Sequence, residues 1–316
     1  MKIKKSKLYF LYPIFFSASM FLLKYYVDGD QIFYIKLYNQ YKVTEFFSVM
    51  SVAKDLVSSY EPISAYILWI GSKIGISKNI YISFMNVFLL SGIYLLLKKH
   101  KAKWYLHILL LSNFYVIVLM TGAERLKIAY IMLVYAALFG GKIGYMLTFF
   151  SPLAHLQSSI LLISIGLNNF INQIIKKKSL KIKKRNFSFY FFLVIIMIIF
   201  YFFLYKGIID KVQAYLVFKG FLEIWKVLFL LVIGLLISKN RLRIFLMLLP
   251  LLIFSFILGD FRVNMISVSI FIYLLLIEDR LKHPLSIILL LYFSIKSYPF
   301  ILNILKTGNG FNGWLI

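Results

Sequence analysis

Apolar residues fall along this chain in long blocks rather than in the alternation of a half-buried strand. Residues 189–204, 227–237, 244–258 and 287–293 are nearly continuous runs rich in Phe, Leu and Ile, and comparable runs recur over the whole length. A helix needs ~20 apolar residues to cross the hydrocarbon core of a bilayer. On that measure the windows 8–27, 80–97, 104–121, 126–141, 187–205, 222–238, 243–258, 263–277 and 284–305 predict membrane spans. Two further segments are ambiguous. Residues 62–78 carry Pro62, Gly71, Lys73, Gly75 and Lys78, and residues 143–166 are interrupted by Ser151, Pro152, His155, Gln157, Ser158 and Ser159. The pattern predicts an all-α fold: a polytopic transmembrane helical bundle of about 9–11 spans, forming one integral membrane domain over residues 1–316. No internal repeat, low-complexity linker or heptad pattern interrupts it.

Composition strengthens this reading. With 62% hydrophobic and 19% aromatic residues against 15% charged, the 316-residue chain carries more apolar surface than one water-soluble core can bury. The basic start followed by residues 8–16 and the small residues Ser17, Ala18 and Ser19 resembles a cleavable signal peptide. The apolar run continues through Leu23, however, which favours an uncleaved first span.

The net charge of +25 changes the picture in a different way. In a soluble protein it points to nucleic acid. Here the lysines and arginines sit in short clusters between apolar runs, as retention signals of cytoplasmic loops do, so no nucleic-acid partner is expected and anionic membrane lipids suffice. The clusters at 2–7, 98–103, 176–185, 239–243 and 280–282 all fall on the cytoplasmic side if segments 62–78 and 143–166 each dip into the membrane and return, or lie at its surface. The N-terminus is then cytoplasmic. Residues 28–61, the turns 121–127 and 259–262, and a short amphipathic stretch at 206–221 face outward. Irregular backbone at membrane depth is tolerated only where protein or water covers it, so broken segments of this kind often line a site.

The chain has no cysteine, which excludes disulfides, zinc thiolates and thiol nucleophiles. It has no Walker loop, no His-Glu-x-x-His and no Gly-x-Ser-x-Gly. Neither a metal nor a cofactor is expected, and nucleotide-driven transport is disfavoured.

Charged groups near span ends are costly unless paired or wetted, and each is therefore a functional candidate. Arg125 opens a span in Thr-Gly-Ala-Glu-Arg-Leu-Lys, beside free helix N-terminal amides. Its guanidinium can bind phosphate oxygens bidentately, or it can simply snorkel and pair with Glu124. Arg262, after Gly259 and Asp260, poses the same choice on the same predicted side. His155, three residues past Pro152, can accept a proton or bond a phosphate or sugar hydroxyl, or be satisfied by a neighbouring helix. Glu61 precedes Pro62, which can open a helix, and is placed either as a base or as an ordinary dipole-favoured acid. Asp28 and Asp30, followed by Tyr34, Tyr38 and Tyr41, offer acceptors and aromatic faces to sugar rings, or form a polar cap with an aromatic belt.

Taken in order, these features resemble the EpsG-like branch of Wzy-type polysaccharide polymerases. The features are Asp28, Asp30 and Tyr34 after the first span, Tyr-Glu-Pro at 60–62, Arg-x-x-x-Ala at 125–129 and Ala-His-x-x-Ser at 154–158. The resemblance covers residues 25–165, with Arg262 as a later echo. It departs at Leu126, where the family commonly has glutamine. It implies a glycosyltransferase C-like fold in a bacterial inner (cytoplasmic) membrane. The implied reaction transfers a chain from undecaprenyl-diphosphate-linked oligosaccharide to a hydroxyl of the next repeat unit at the outer face. A flippase and a chain-length regulator of the same pathway are the implied partners. On this reading Arg125 and Arg262 hold the diphosphate, Glu61 or His155 takes the hydroxyl proton, and Asp28, Asp30 and Tyr34 contact sugar. A membrane acyltransferase modifying surface polysaccharide and a lipid-linked oligosaccharide flippase are the competing classes.

Overall fold

The computed structural model describes residues 6–175, 205, 209, 221–258 and 261–311, and the regular elements among them are all helical. The predicted span 187–205, the cluster 176–185 and the stretch 206–221 lie almost wholly outside the described residues, as do most of the cluster 2–7 and Asp260. In chain order the helices are α1 (Ser6–Tyr25), α2 (Asp30–Tyr41), α3 (Val49–Val57), α4 (Pro62–Lys73), α5 (Lys78–Lys99), α6 (Trp104–Leu111) and α7 (Phe114–Thr121). There follow α8 (Glu124–Phe139), α9 (Gly141–Ala154), α10 (Ser159–Ile175), α11 (Phe221–Ile237), α12 (Arg241–Leu258), α13 (Phe261–Ile277) and α14 (Pro284–Thr307). The chain divides into two compact units, Met1–Leu156 with Leu281–Ile316, and Gln157–Arg280.

Among the described residues α5 and α14 are each long and apolar enough to cross a membrane, and two bent pairs, α1 with α2 and α6 with α7, bring the number to four if each pair is one span. Many of the other predicted windows are occupied by shorter helices, because the chain breaks within or beside them. The 103° bend between α1 and α2 falls at Gly29, whose φ of +62° favours glycine. The 50° bend between α6 and α7 falls at Ser112 and Asn113, where the Asn113 side chain caps α7 by accepting from the Tyr115 amide at 2.9 Å. Ser294 on α14 donates to the freed carbonyl of Leu109 at 3.0 Å, and Ser112 donates to Ser294 at 3.1 Å. Gly140 and Gly141, with φ of +62° and +53°, turn α8 back into α9, and a Cβ on Gly144 would stand 2.7 Å from the Ala136 carbonyl oxygen. At 16 and 14 residues these helices rise only about 24 and 21 Å.

The first unit has two distinct ends. At one end the Val27 and Asp28 amides both donate to the Gly308 carbonyl, at 3.1 and 3.0 Å, so α1 and α14 finish together. Asn79 reaches the Leu23 carbonyl, which sets the start of α5 against the finish of α1. At the other end Lys99 donates to the carbonyls of Ala137 and Leu138, at 2.9 and 2.8 Å, where α5 and α8 close. Segment 62–78 leaves and returns to a single level: Glu61 meets Arg125 and Lys78 meets Glu124, and those two partners are consecutive on α8. Segment 143–166 is split between the two units, and only its first half can be followed against the first unit. Its first half, α9, runs back along α8 until Ala154 packs against Ile128 and Ala129, and the break falls at His155, whose φ and ψ of −155° and 119° are extended.

Helices α2, α3 and α4 pack around one core that includes Leu37, Tyr41, Val49, Ala53, Ala65 and Leu68. In the second unit, Ser238 and the Lys239 amide both donate to one Glu278 oxygen, at 2.7 and 2.8 Å, which pins the turn between α11 and α12 to the end of α13. Gly234 lies against Ile244 and Phe271 there, with no room for a Cβ.

Candidate functional site

The first turn of α8 carries Glu124, Arg125 and Lys127, and all three are buried. Free charges at that depth are too costly to persist unpaired, and each has a partner supplied by another helix or by its own turn.

Arg125 donates from Nη1 to Glu61 Oε2 at 2.9 Å and from Nε to the Tyr34 hydroxyl at 3.0 Å. Its other terminal nitrogen, Nη2, makes no hydrogen bond among the described residues. Glu61 is 1% exposed. Pro62 at N1 of α4 holds the preceding residue extended, at φ −91° and ψ 105°, which presents the Glu61 side chain to α8. Its Oε2 also accepts from the Ser59 hydroxyl at 2.7 Å and the Tyr60 amide at 3.1 Å. Oε1 accepts from the Leu156 amide at 3.4 Å and lies 3.7 Å from His155 Nδ1. Because α9 ends at Ala154 in extended backbone, His155 is turned onto this carboxylate and is itself buried.

A second polar cluster adjoins the first. Lys127 donates to Glu124 Oε2 at 2.7 Å and to the Met120 carbonyl at 3.1 Å. Gln31 donates to Glu124 Oε1 at 3.1 Å and to the Thr121 carbonyl, and accepts from Lys78, whose ammonium is 3.9 Å from Glu124 Oε1. Below it, Asn86 donates to Ser19 Oγ at 2.7 Å and to the Met120 carbonyl at 2.9 Å, and Ser19 donates to Ser83 at 2.9 Å. Gln31 and Tyr34 are three residues apart on α2, so one face of that helix covers both clusters.

Of the residues singled out from the sequence, Glu61, Arg125, His155 and Tyr34 come together. The simple pairing of Arg125 with Glu124 does not occur, since Glu124 is engaged by Lys127 and Gln31. Tyr34, Tyr38 and Tyr41 are buried, so their rings are packed in the core and not displayed as an aromatic platform; the Tyr34 hydroxyl accepts a hydrogen bond from Arg125 in the cluster. Asp28 is half-buried and Asp30 exposed, and both carboxylates lie close enough to the Tyr26 hydroxyl to act on it electrostatically. The side chain of Arg262 lies outside the described residues, as does that of Glu223. Gln31, Ser59, Lys78 and Asn86 were not anticipated. The signal for Gln31 was available: it extends the Tyr34, Tyr38, Tyr41 stripe by one helical step, so a polar residue stands on the buried face of α2. Nothing local marks Lys78, which reads as a helix-start lysine until α8 is folded against it.

Among the described residues no three His, Asp or Glu side chains converge as metal ligands. No family model, no curated protein and no solved structure matches the chain, so the chemistry of the site rests on its own geometry.

Proposed function

We propose that this chain is a multi-pass glycosyltransferase of a bacterial cytoplasmic membrane that joins lipid-diphosphate-linked oligosaccharide units at the outer face. The observation that supports this reading best is the meeting of Glu61, Arg125, His155 and Tyr34, from four separate segments, at the end of the first unit opposite the lysines of the 98–103 cluster. Basic loops are retained in the cytoplasm, so the cluster faces outward.

In the proposed reaction the acceptor hydroxyl oxygen bonds to the anomeric carbon of the donor sugar while the bond from that carbon to the diphosphate breaks. Negative charge grows on the leaving phosphate oxygens, and Arg125, held by Glu61 and Tyr34 with Nη2 left over, is pre-aimed to receive it. The hydroxyl proton needs an acceptor. The oxygens of Glu61 already hold Ser59, Tyr60, Leu156 and Arg125, so His155 takes the proton and Glu61 balances the imidazolium.

Two measurements test this. Deleting the gene in its native strain is expected to abolish the surface-polysaccharide ladder while single repeat units accumulate on lipid at the outer face. Full-length polymer missing an acyl substituent, or units trapped on the cytoplasmic side, would replace the proposal with an acyltransferase or a flippase. The absence of cysteine allows orientation to be read directly. In spheroplasts, an impermeant maleimide is expected to label Asp55→Cys on α3 and to spare Lys99→Cys. The reverse labelling would put the cluster on the cytoplasmic face and end the proposal.

A further inference from the structure

The body built by α2, α3 and α4 carries two chemically opposite surfaces. On α3 the exposed residues are Ser51, Lys54, Asp55 and Ser58, which are spaced as one helical face and are all polar, while Val49 and Ala53 of the same helix enter the core. Along the turn from α2 to α3 and at the end of α4 the exposure is apolar instead. Phe47 is 92% exposed, Val43 74% and Ile74 64%. The turn is tied to α4 in a regular order. The carbonyls of Lys42, Thr44 and Phe46 accept in turn from the Lys73 ammonium at 3.0 Å, the Trp69 indole at 3.0 Å and the Tyr66 hydroxyl at 3.3 Å. Residues 66, 69 and 73 form one stripe of α4, so the turn runs alongside that helix. The Phe46 ring lies 4.9 Å from that of Tyr66 and 5.8 Å from that of Trp69, and Phe47 meets Phe46 at 5.4 Å. Ile70 and Ile74 follow Tyr66 at helical steps of four, so turn and helix form one continuous apolar patch.

The level of the patch follows from α2. Helices α1 and α14 finish together, and α2 leaves that finish at 103° to α1, so its 12 residues carry the chain about 18 Å sideways rather than onward. The ends of segment 62–78 both return to the first turn of α8. The turn therefore stands beside the helices of the first unit, at the end where α1 and α14 stop.

We infer that the turn 42–48 and the adjoining face of α4 are a membrane-insertion surface, seated in the headgroup–acyl boundary of the leaflet on the side of the Glu61–Arg125 cluster, with bulk phospholipid as its partner. An apolar patch left in water is costly, and its composition selects what covers it. A sugar needs polar side chains within the patch to bond its hydroxyls, and the indole and phenol groups here are spent on the turn. A lipid boundary takes aromatic and aliphatic side chains as they stand and offers phosphates to lysines at their edge. Lys42 and Lys73 lie at that edge and outnumber Glu45, the one carboxylate of the turn. Because α4 begins at Pro62, seating the patch also fixes the depth at which Glu61 meets α8. The inference requires only that α5 and α14 cross the bilayer, and holds whether or not the chain is a transferase.

The test uses the full chain, naturally free of cysteine, in phospholipid nanodiscs. Phe47→Cys carries a polarity-sensitive fluorophore, Val43→Cys provides a second position, and Asp55→Cys on α3 is the water-facing reference. All three side chains are exposed, so none of the substitutions empties a core position. Insertion to a depth of about 5–10 Å predicts blue-shifted emission at residues 43 and 47. Most of that emission is expected to be lost to phospholipid spin-labelled near the headgroup, and little of it to phospholipid labelled at the chain end or to aqueous iodide. Asp55→Cys is expected to show water-like emission that iodide quenches and spin-labelled lipid does not. The inference is overturned if Phe47→Cys and Val43→Cys behave as Asp55→Cys does. It is overturned equally by a blue shift that lipid spin labels leave unquenched. A shift of that kind seen only with added oligosaccharide would make the patch a sugar platform, and one seen only in discs holding two copies would make it a contact between copies.

Discussion

Arg125→Ala is expected to abolish polymer formation and, at the same time, to destabilise the protein by about 3–5 kcal/mol, the effect of removing one partner from a buried ion pair. The second consequence follows from the geometry. Glu61 is 1% exposed and its Oε2 faces the guanidinium at 2.9 Å, so truncating Arg125 leaves a carboxylate beside His155 with no full positive charge to meet it. Loss of activity in that single variant therefore mixes chemistry with folding, and a second variant separates them. Glu61→Gln combined with Arg125→Gln removes both charges and keeps polar groups of similar size. Its thermal midpoint, followed by size-exclusion chromatography of the purified protein, is expected to recover most of what Arg125→Ala loses, while the polysaccharide ladder stays absent. A double variant that is stable and still makes full-length polymer would show that neither charge serves catalysis. A single variant as stable as the wild type would show that the pair is not the buried one seen here.

Glu124→Ala is expected to have the largest purely structural effect. This carboxylate accepts from Lys127 at 2.7 Å and from Gln31 at 3.1 Å, and stands 3.9 Å from the Lys78 ammonium. Without it the buried Lys127 ammonium and the half-buried Lys78 ammonium lose their shared carboxylate, and the expected destabilisation is again of the order of 3–5 kcal/mol. The expected readout is a sharply lower thermal midpoint with poor recovery from membranes. Glu124→Gln keeps the hydrogen bond to Gln31 but not the charge, and should fall almost as far. Pairing Glu124→Leu with Lys127→Met, which removes one charge of each sign, should recover much of the loss. If Glu124→Ala were as stable as the wild type, the carboxylate would not be the charge that holds Lys127 in place.

Both experiments turn on partnerships that join distant parts of the chain. Tyr34 and Glu61 reach Arg125 across 91 and 64 residues, and Leu156 reaches Glu61 across 95. No pattern within a window of a helix or two can reveal such pairs. What the sequence did show was which residues stood out: an arginine at the start of an apolar run, a glutamate before a proline, a histidine three residues beyond another proline. Each is out of place in its surroundings, and apolar surroundings penalise such groups strongly enough that they are retained for a structural or chemical reason.

The same division runs through the fold. Apolar blocks alone determined that the chain is helical, because an apolar environment leaves backbone amides and carbonyls to pair within one segment. The break after Pro152 was legible too, since proline imposes a departure from helical backbone, whereas the window 104–121 read as one span and is broken at Ser112 and Asn113. Hydropathy counted the windows but could not tell a full traverse from a partial one. Segments 62–78 and 143–166 looked equally interrupted, yet the first comes back to its own level and the second sends α9 along the length of α8. Charge behaved likewise. The count of lysines and arginines was fixed by composition, and so was their grouping into loops. Whether Arg125 answered to Glu124 beside it or to Glu61 far away was decided only when α4, α8 and α9 came together, because a buried charge takes whichever partner the packing brings within about 3 Å.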